Sequence, residues 1–137
     1  MKPEGETPLF DKLEIFQMAH GLAAHAMTRQ AKIAGNVANA DTPGYRASDI
    51  APFAETYQPR NVDAGLRSTR AGHVMEHEGG ASQFRVVDRP GPSAPNGNTV
   101  SLETEIMKAT EVRHAHEMAL AVYKSSLGIL RTSIGRG

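Results

Sequence analysis

The sequence predicts a mainly α protein, in which long N- and C-terminal helices pair as an antiparallel, coiled-coil-like hairpin around an irregular middle region of loops and short strands. Three observations carry this expectation. Apolar residues recur at spacings of three and four through both ends of the chain, the signature of an amphipathic helix. Between them, residues 46 to 98 hold five Pro and six Gly, which break regular structure. Only seven aromatic residues and no Trp occur among 137 residues. That is weak material for a large globular core, but it suits a narrow helix seam in which Ala lets two backbones come close. The length fits one unit spanning 1–137 rather than two domains.

The N-terminal helix is expected over 8–40. Thr7 and Pro8 form a reasonable N-cap and first-turn pair, and Asp11-Lys12-Leu13-Glu14 offers a capping box slightly later. One apolar stripe runs through Leu9, Leu13, Phe16, Ala23, Met27, Ala34 and Ala38; a second, through Ala19, Leu22, Ala26, Ile33 and Val37, lies beside it. The helix should stop where Asn39, Ala40, Asp41, Thr42, Pro43 and Gly44 gather, because a proline disfavours the α region for the residue before it. Asn39 and Asp41 can bond nearby backbone groups there. Gly44 can take the positive φ of a type II turn with Pro43 before it, and Tyr45 then opens an extended segment with an aromatic anchor.

The turn and middle region, 41–98, contain only short apolar runs such as Phe84-Arg85-Val86-Val87. Periodicity returns in the C-terminal helix, expected over 101–135. Alternate steps of four and three from Leu102 reach Ile106, Ala109, Arg113, His116, Leu120, Tyr123, Leu127, Leu130 and Ile134. A heptad sustained this long reads as a coiled-coil seam, with Ala115, Ala119, Val122 and Ile129 flanking it. Ser101 is a plausible N-cap, followed by Glu103 and Glu105 where the helix dipole favours negative charge. At about 1.5 Å per residue the two helices are of nearly equal length, roughly 50 Å. A two-helix hairpin has one internal interface, yet both helices carry apolar residues beyond one stripe. The surplus must face a partner or water, which points to an assembly subunit.

Fifteen basic and fifteen acidic residues leave no net charge, so no field favours nucleic acid or an anionic membrane. There is no cysteine, hence no disulfide, thiolate or Cys-ligated zinc chemistry. Neither a secretory signal nor an 18-residue apolar run stands in the sequence, and no membrane span is expected. His73 and His77 have helical metal-ligand spacing, but Gly72, Gly79 and Gly80 bracket them. His116-Glu117-Met118-Ala119-Leu120 begins like a zincin motif and ends on Leu. Phosphate loops and nucleophile elbows are absent, so no enzyme, metal or cofactor is expected. Arg113 and His116 interrupt the seam and are expected to set register or to pair across an interface, with Glu14 or Asp11 of a neighbour as acceptors.

The segment Asn36-Val37-Ala38-Asn39-Ala40-Asp41-Thr42-Pro43-Gly44-Tyr45-Arg46 resembles the signature of bacterial flagellar axial proteins, N-x-A-N-x-x-T-P-G-Y-[KR], which closes an N-terminal helix. Asn96-Gly97-Asn98-Thr99-Val100, the following Leu102-Glu103 and Glu105-Ile106-Met107, and the closing Leu130-Arg131-Thr132-Ser133-Ile134 resemble the proximal-rod branch of that family. The likeness covers 9–50 and 96–134, with Gly35 standing where the family commonly has Asn; in the middle only Leu66, Thr69 and His73 echo it. The resemblance implies a structural subunit of the flagellar basal-body rod in the periplasmic space. It further implies polymerisation through the terminal helices into the drive shaft and its export channel, and export through the flagellar type III apparatus without a cleaved signal. Implied partners are copies of the chain, other rod proteins, adaptor proteins of the membrane ring and rod base, and the export apparatus. Asn36, Asn39, Asp41, Thr42, Pro43, Gly44 and Tyr45 are the expected turn at subunit contacts. Leu9, Leu13, Phe16, Leu22, Ile33, Val37, Leu102, Ile106, Leu120, Tyr123, Leu127, Leu130 and Ile134 are the expected seam and assembly residues. A competing reading is a helical adaptor or export chaperone of the same system.

Overall fold

The computed structural model describes residues 7–57, 84–89 and 91–135, with side chains from residue 13 onward. Helix α1 spans Thr7–Ala38 and helix α3 spans Leu102–Ile134. Between them lie strand β1, Ser48–Ile50, the single helical turn α2, Phe53–Thr56, and strand β2, Val86–Asp88. The Phe84–Val87 apolar run leads into β2, as its β-branched content favours. β1 and β2 pair antiparallel, Asp49 opposite Val87, and the ladder extends through the Ala51 amide to the Arg85 carbonyl at 2.9 Å and the Arg89 amide to that of Ala47 at 3.2 Å. This two-stranded arm lies against one end of the helix pair.

Helix α3 starts where Ser101 takes an extended conformation and its hydroxyl accepts from the Thr104 amide at 3.4 Å, satisfying one of the orphan donors of the first turn. The Glu103 carboxyl is held below its ordinary value by its own backbone N–H and by the Ser101 hydroxyl. At the far end the Gly135 amide closes on the Arg131 carbonyl at 2.8 Å.

The two long helices run antiparallel, since Asn36 meets Glu105, Arg29 meets Glu111, and the rings of Phe16 and Tyr123 stand edge to face at 5.4 Å. The seam on α1 is the row Ala19, Leu22, Ala26, Arg29, Ile33 and Asn36, buried or half-buried. Its apolar centre is Ala26, Ile33 and Val112, with Ala109 and Ala115 packed against it.

The row of α3 facing α1 differs from the heptad stripe read from the sequence. Glu105, Lys108, Val112, Ala115, Ala119, Val122 and Ser126 turn inward, whereas Leu102, Ile106, Leu120, Tyr123 and Ile134 of the stripe are 43 to 79% exposed. Short side chains explain the choice. Ala against Ala allows the backbones to approach, and the charged pair Glu105 and Lys108 finds partners at the arm. Those five large side chains are thereby left outside, while Leu127 and Leu130 of the same stripe are half-buried.

Among the described residues fourteen large apolar side chains are exposed, against three, Ile33, Ile50 and Val112, that are buried. Each buried methylene contributes only about 0.8 kcal/mol, so the isolated hairpin is held by a thin seam. No helix among the described residues is long and apolar enough to cross a membrane. Ile33→Ala should cost about 2–4 kcal/mol by emptying the centre of the seam. Leu120→Ala should change stability by no more than about 0.5 kcal/mol. Urea unfolding followed by helical circular dichroism distinguishes them, and equal costs would mean the stripe, not the alanine row, closes the hairpin.

Candidate assembly site

The turn that ends α1 is built around Asn36, which is 1% exposed. Its amide nitrogen donates to the Ser48 carbonyl at 2.8 Å and to Glu105 Oε2 at 3.2 Å. Its oxygen accepts from the Ser48 amide at 3.1 Å and from the Tyr45 hydroxyl at 3.3 Å. Two donors and two acceptors exhaust a carboxamide. One side chain therefore ties α1 to β1, to the chain after the turn and to α3.

Beyond it the helix tightens into i to i+3 bonds, from Ala40 N–H to Val37 and from Thr42 N–H to Asn39. Asn39 donates back to the Gly35 carbonyl at 2.8 Å and accepts from the Thr42 hydroxyl at 3.2 Å. Gly44 has φ +73°, the left-handed value that the position after Pro43 needs, and the Tyr45 amide closes the turn on the Thr42 carbonyl at 3.2 Å. Asp41, Thr42, Pro43 and Gly44 are exposed. Asp41 makes no side-chain hydrogen bond to any described residue, unlike Asn39.

A second turn, Ala94–Asn98, braces the first from behind. Buried Asn98 points its amide nitrogen at the carbonyls of Asn39, Ala40 and Thr42, at 2.9, 2.8 and 2.8 Å. The Asn39 and Thr42 carbonyls also accept from amides within the turn, whereas that of Ala40, an orphan acceptor past the helix end, is satisfied by this residue far along the chain. Gly97, at φ +82°, passes so close that a Cβ there would stand 3.4 Å from Gly44 Cα. The Asn-Gly-Asn run was read only as part of a resemblance; its spacing gave no sign that it caps α1.

Beside Asn36 lies a cluster of charges drawn from four segments. Arg29 grips Asp49 with two bonds, Nε to Oδ1 at 3.1 Å and Nη2 to Oδ2 at 3.3 Å. Arg89 Nη2 and Lys108 Nζ, the latter at 3.4 Å, also donate to Asp49 Oδ2. Arg89 Nη1 stands 3.9 Å from Glu105 Oε1, and Arg29 also reaches Glu111 at 3.3 Å. Burial pushes the Asp49 carboxyl up, but the Arg29 bond, the Ile50 amide and the charges of Arg29 and Arg89 outweigh it and hold the group below its ordinary value. None of these six residues was singled out for such a role from the sequence.

Similarity to characterised proteins agrees with this geometry. The chain is 31% identical over 107 residues to the flagellar basal body rod protein FlgB of Cereibacter sphaeroides strain ATCC 17029, covering 78% of this chain and 83% of that one. Its identity to FlgB of Escherichia coli K12 is 30% over 109 residues, covering 72% and 77%. The chain belongs to the FlgB family of flagellar basal body rod proteins. FlgB of Agrobacterium fabrum is 28% identical over 116 residues, covering 82% of this chain and 87% of that one. No family model matches the chain.

The residues expected at FlgB-type helix contacts fall into two groups. Ile33 is buried, and Leu22, Phe16, Leu127 and Leu130 are half-buried along the hairpin. Leu13, Val37, Leu102, Ile106, Leu120, Tyr123 and Ile134 are exposed, although Tyr123 keeps its edge on Phe16. The side chain of Leu9 lies outside the described residues. Within the chain Arg113 pairs with Glu117 of its own helix at 3.3 Å, on the exposed face where the i, i+4 partner is nearest. Asp11 lies outside the described side chains. His116 and Arg113 instead wall a surface groove of about 310 Å³ with Met27 and Gln30, floored by Ala26 and Val112. Leu66, Thr69, His73 and His77 lie outside the described residues. Among the described residues no group of three His, Asp or Glu side chains can hold a metal ion.

Asn36→Ala strands a buried amide, a carbonyl and part of Glu105, and should cost about 2–4 kcal/mol in thermal or urea unfolding; a cost below 1 would mean water replaces the carboxamide freely. Gly44→Ala forces a Cβ into the left-handed region and should cost about 1–2 kcal/mol. Gly128→Ala, within α3 with nothing within 4 Å of its Cβ, should be neutral or stabilising in the same melt.

Proposed function

We infer that this chain is a structural, non-catalytic subunit of the flagellar basal-body rod, set at the cell-proximal end and polymerising through the outward faces of its terminal helices. The observation that carries this reading is the exposed stripe from Leu102 to Ile134, through Ile106, Leu120 and Tyr123, on a helix already paired along its other face. A solvated helix does not need such a stripe, and exposed apolar area of this extent marks a binding surface. The named relatives are rod proteins, which supports the rod over an adaptor or export chaperone.

In this reading the outward stripes meet copies of the chain and other rod proteins, and build the drive shaft around its export channel. The exposed turn from Asp41 to Gly44 is offered at subunit contacts. Adaptor proteins of the membrane ring and rod base would hold the first subunits. The subunit reaches the periplasmic space through the flagellar type III apparatus, and a hairpin with so thin a seam is easily unfolded for that passage. No reaction, cofactor or metal is assigned.

Leu120→Asp combined with Ile106→Asp places two charges on the outward stripe without touching the seam. In a strain relying on the variant, the chain should be exported and the purified protein should melt like the native one, while rods and motility are lost. Motile cells with complete flagella would show that the stripe is not an assembly surface.

A further inference from the structure

The helix seam and the β-arm are held by separate sets of contacts. The apolar cluster consists wholly of helix residues, Ala26, Ile33, Val112, Ala109 and Ala115. The arm that carries β1 and β2 buries Ala47, Ile50 and Ala51 and is also tied to the helices by a set of polar contacts. Ser48 bonds Asn36, the Ala47 amide donates to the Thr99 hydroxyl at 2.9 Å, and the Ala51 carbonyl stands 2.8 Å from His25 Nε2. Phe53 adds an apolar contact over Gly21 and the His25 ring. The centre of the attachment is Asp49, which alone among the described residues receives cations from α1, from the end of β2 and from α3.

We propose that the β-arm is a separately releasable unit pinned by Asp49, so that neutralising this one carboxyl frees the arm while the helix seam stays closed. Facing Asp49 are Arg29 from α1, Arg89 from the arm, and Lys108 from α3, with Glu105 and Glu111 on the far sides of Arg89 and Arg29. Lys108 is buried, and among the described residues Asp49 is its acceptor. Removing the charge strands that ammonium in a low-dielectric pocket and leaves three cations around one neutral group. Arg89, which rides on the arm, is the member free to leave. A two-stranded ribbon detached from the helices is marginal in water, so its own ladder should open with it.

Because the folded Asp49 carboxyl titrates below its ordinary value, its stabilising effect is fully present above that ordinary value, about 3.8. It is lost as pH falls through the lower folded value. Acid should therefore open the arm before the seam, which contains no carboxylate at its apolar centre.

Amide hydrogen exchange on the full chain tests this, read as protection factors so that intrinsic exchange is removed. In Asp49→Asn at neutral pH, the Ser48, Ala51 and Arg89 amides should lose protection at least tenfold, with Ile33 and Val112 within twofold of native. Retained protection in the arm, or equal loss in arm and seam, overturns the proposal. Should Asp49→Asn fail to fold, the native chain decides on acid titration. Arm amides opening at a higher pH than Ile33 and Val112 support the pin, and one shared midpoint overturns it.

Discussion

A single buried carboxamide, that of Asn36, is the constraint on which the rest of the fold depends. It lies where α1 ends, where the chain turns back, and where α3 begins its first turns. With both donors and both acceptors occupied, it fixes three segments in one geometry, and an alternative register would leave several polar groups unpaired in a dry site. Asn98 performs the matching task for the backbone, gathering the Asn39, Ala40 and Thr42 carbonyls that follow α1. The helix-ending turn is thus more than a stop. It is a joint, and the chain from both sides of the sequence is needed to make it.

Burying charge beside that joint adds specificity more readily than stability. Asp49 with Arg29, Arg89 and Lys108 loses hydration that its ion pairs only partly restore, so the cluster contributes little net stabilisation compared with apolar residues of the same volume. Its effect lies in what it forbids. Sliding α3 by one heptad would carry Lys108 away from Asp49 and Glu105 away from Asn36, leaving buried charges alone. A seam made largely of alanine has little shape to fix its own register, and the charged end supplies what the small residues lack.

The extent of each helix was legible in the sequence because periodicity and turn residues are local signals. Pro43 and Gly44 end α1 by backbone chemistry alone, and Ser101 opens α3 in the same way. Which face of α3 meets α1 was not legible. The leucine-rich row from Leu102 to Ile134 is the stronger stripe, and in a monomeric protein the stronger stripe is the buried one. Here the weaker row, with Glu105 and Lys108 in it, turns inward. The ion cluster was hidden for a different reason: Arg29, Asp49, Arg89 and Lys108 lie 20 to 59 positions apart in their pairings, and no spacing rule reaches so far. Charged residues within an inward-facing row of alanine and valine were the one available sign.

Under the proposed assembly, that inversion of rows follows from the demands of its two interfaces. A helix that must meet one partner within its chain and others outside it has two faces to furnish. The intramolecular face benefits from high effective concentration, because the connecting chain holds the helices together, so small side chains and a polar lock at one end suffice. Contacts between separate subunits begin without that advantage and lose translational and rotational freedom on forming. They need the larger apolar residues. Placing Leu120, Tyr123 and Ile106 outward and Ala119, Ala115 and Val112 inward therefore matches the size of each side chain to the entropy its interface must overcome.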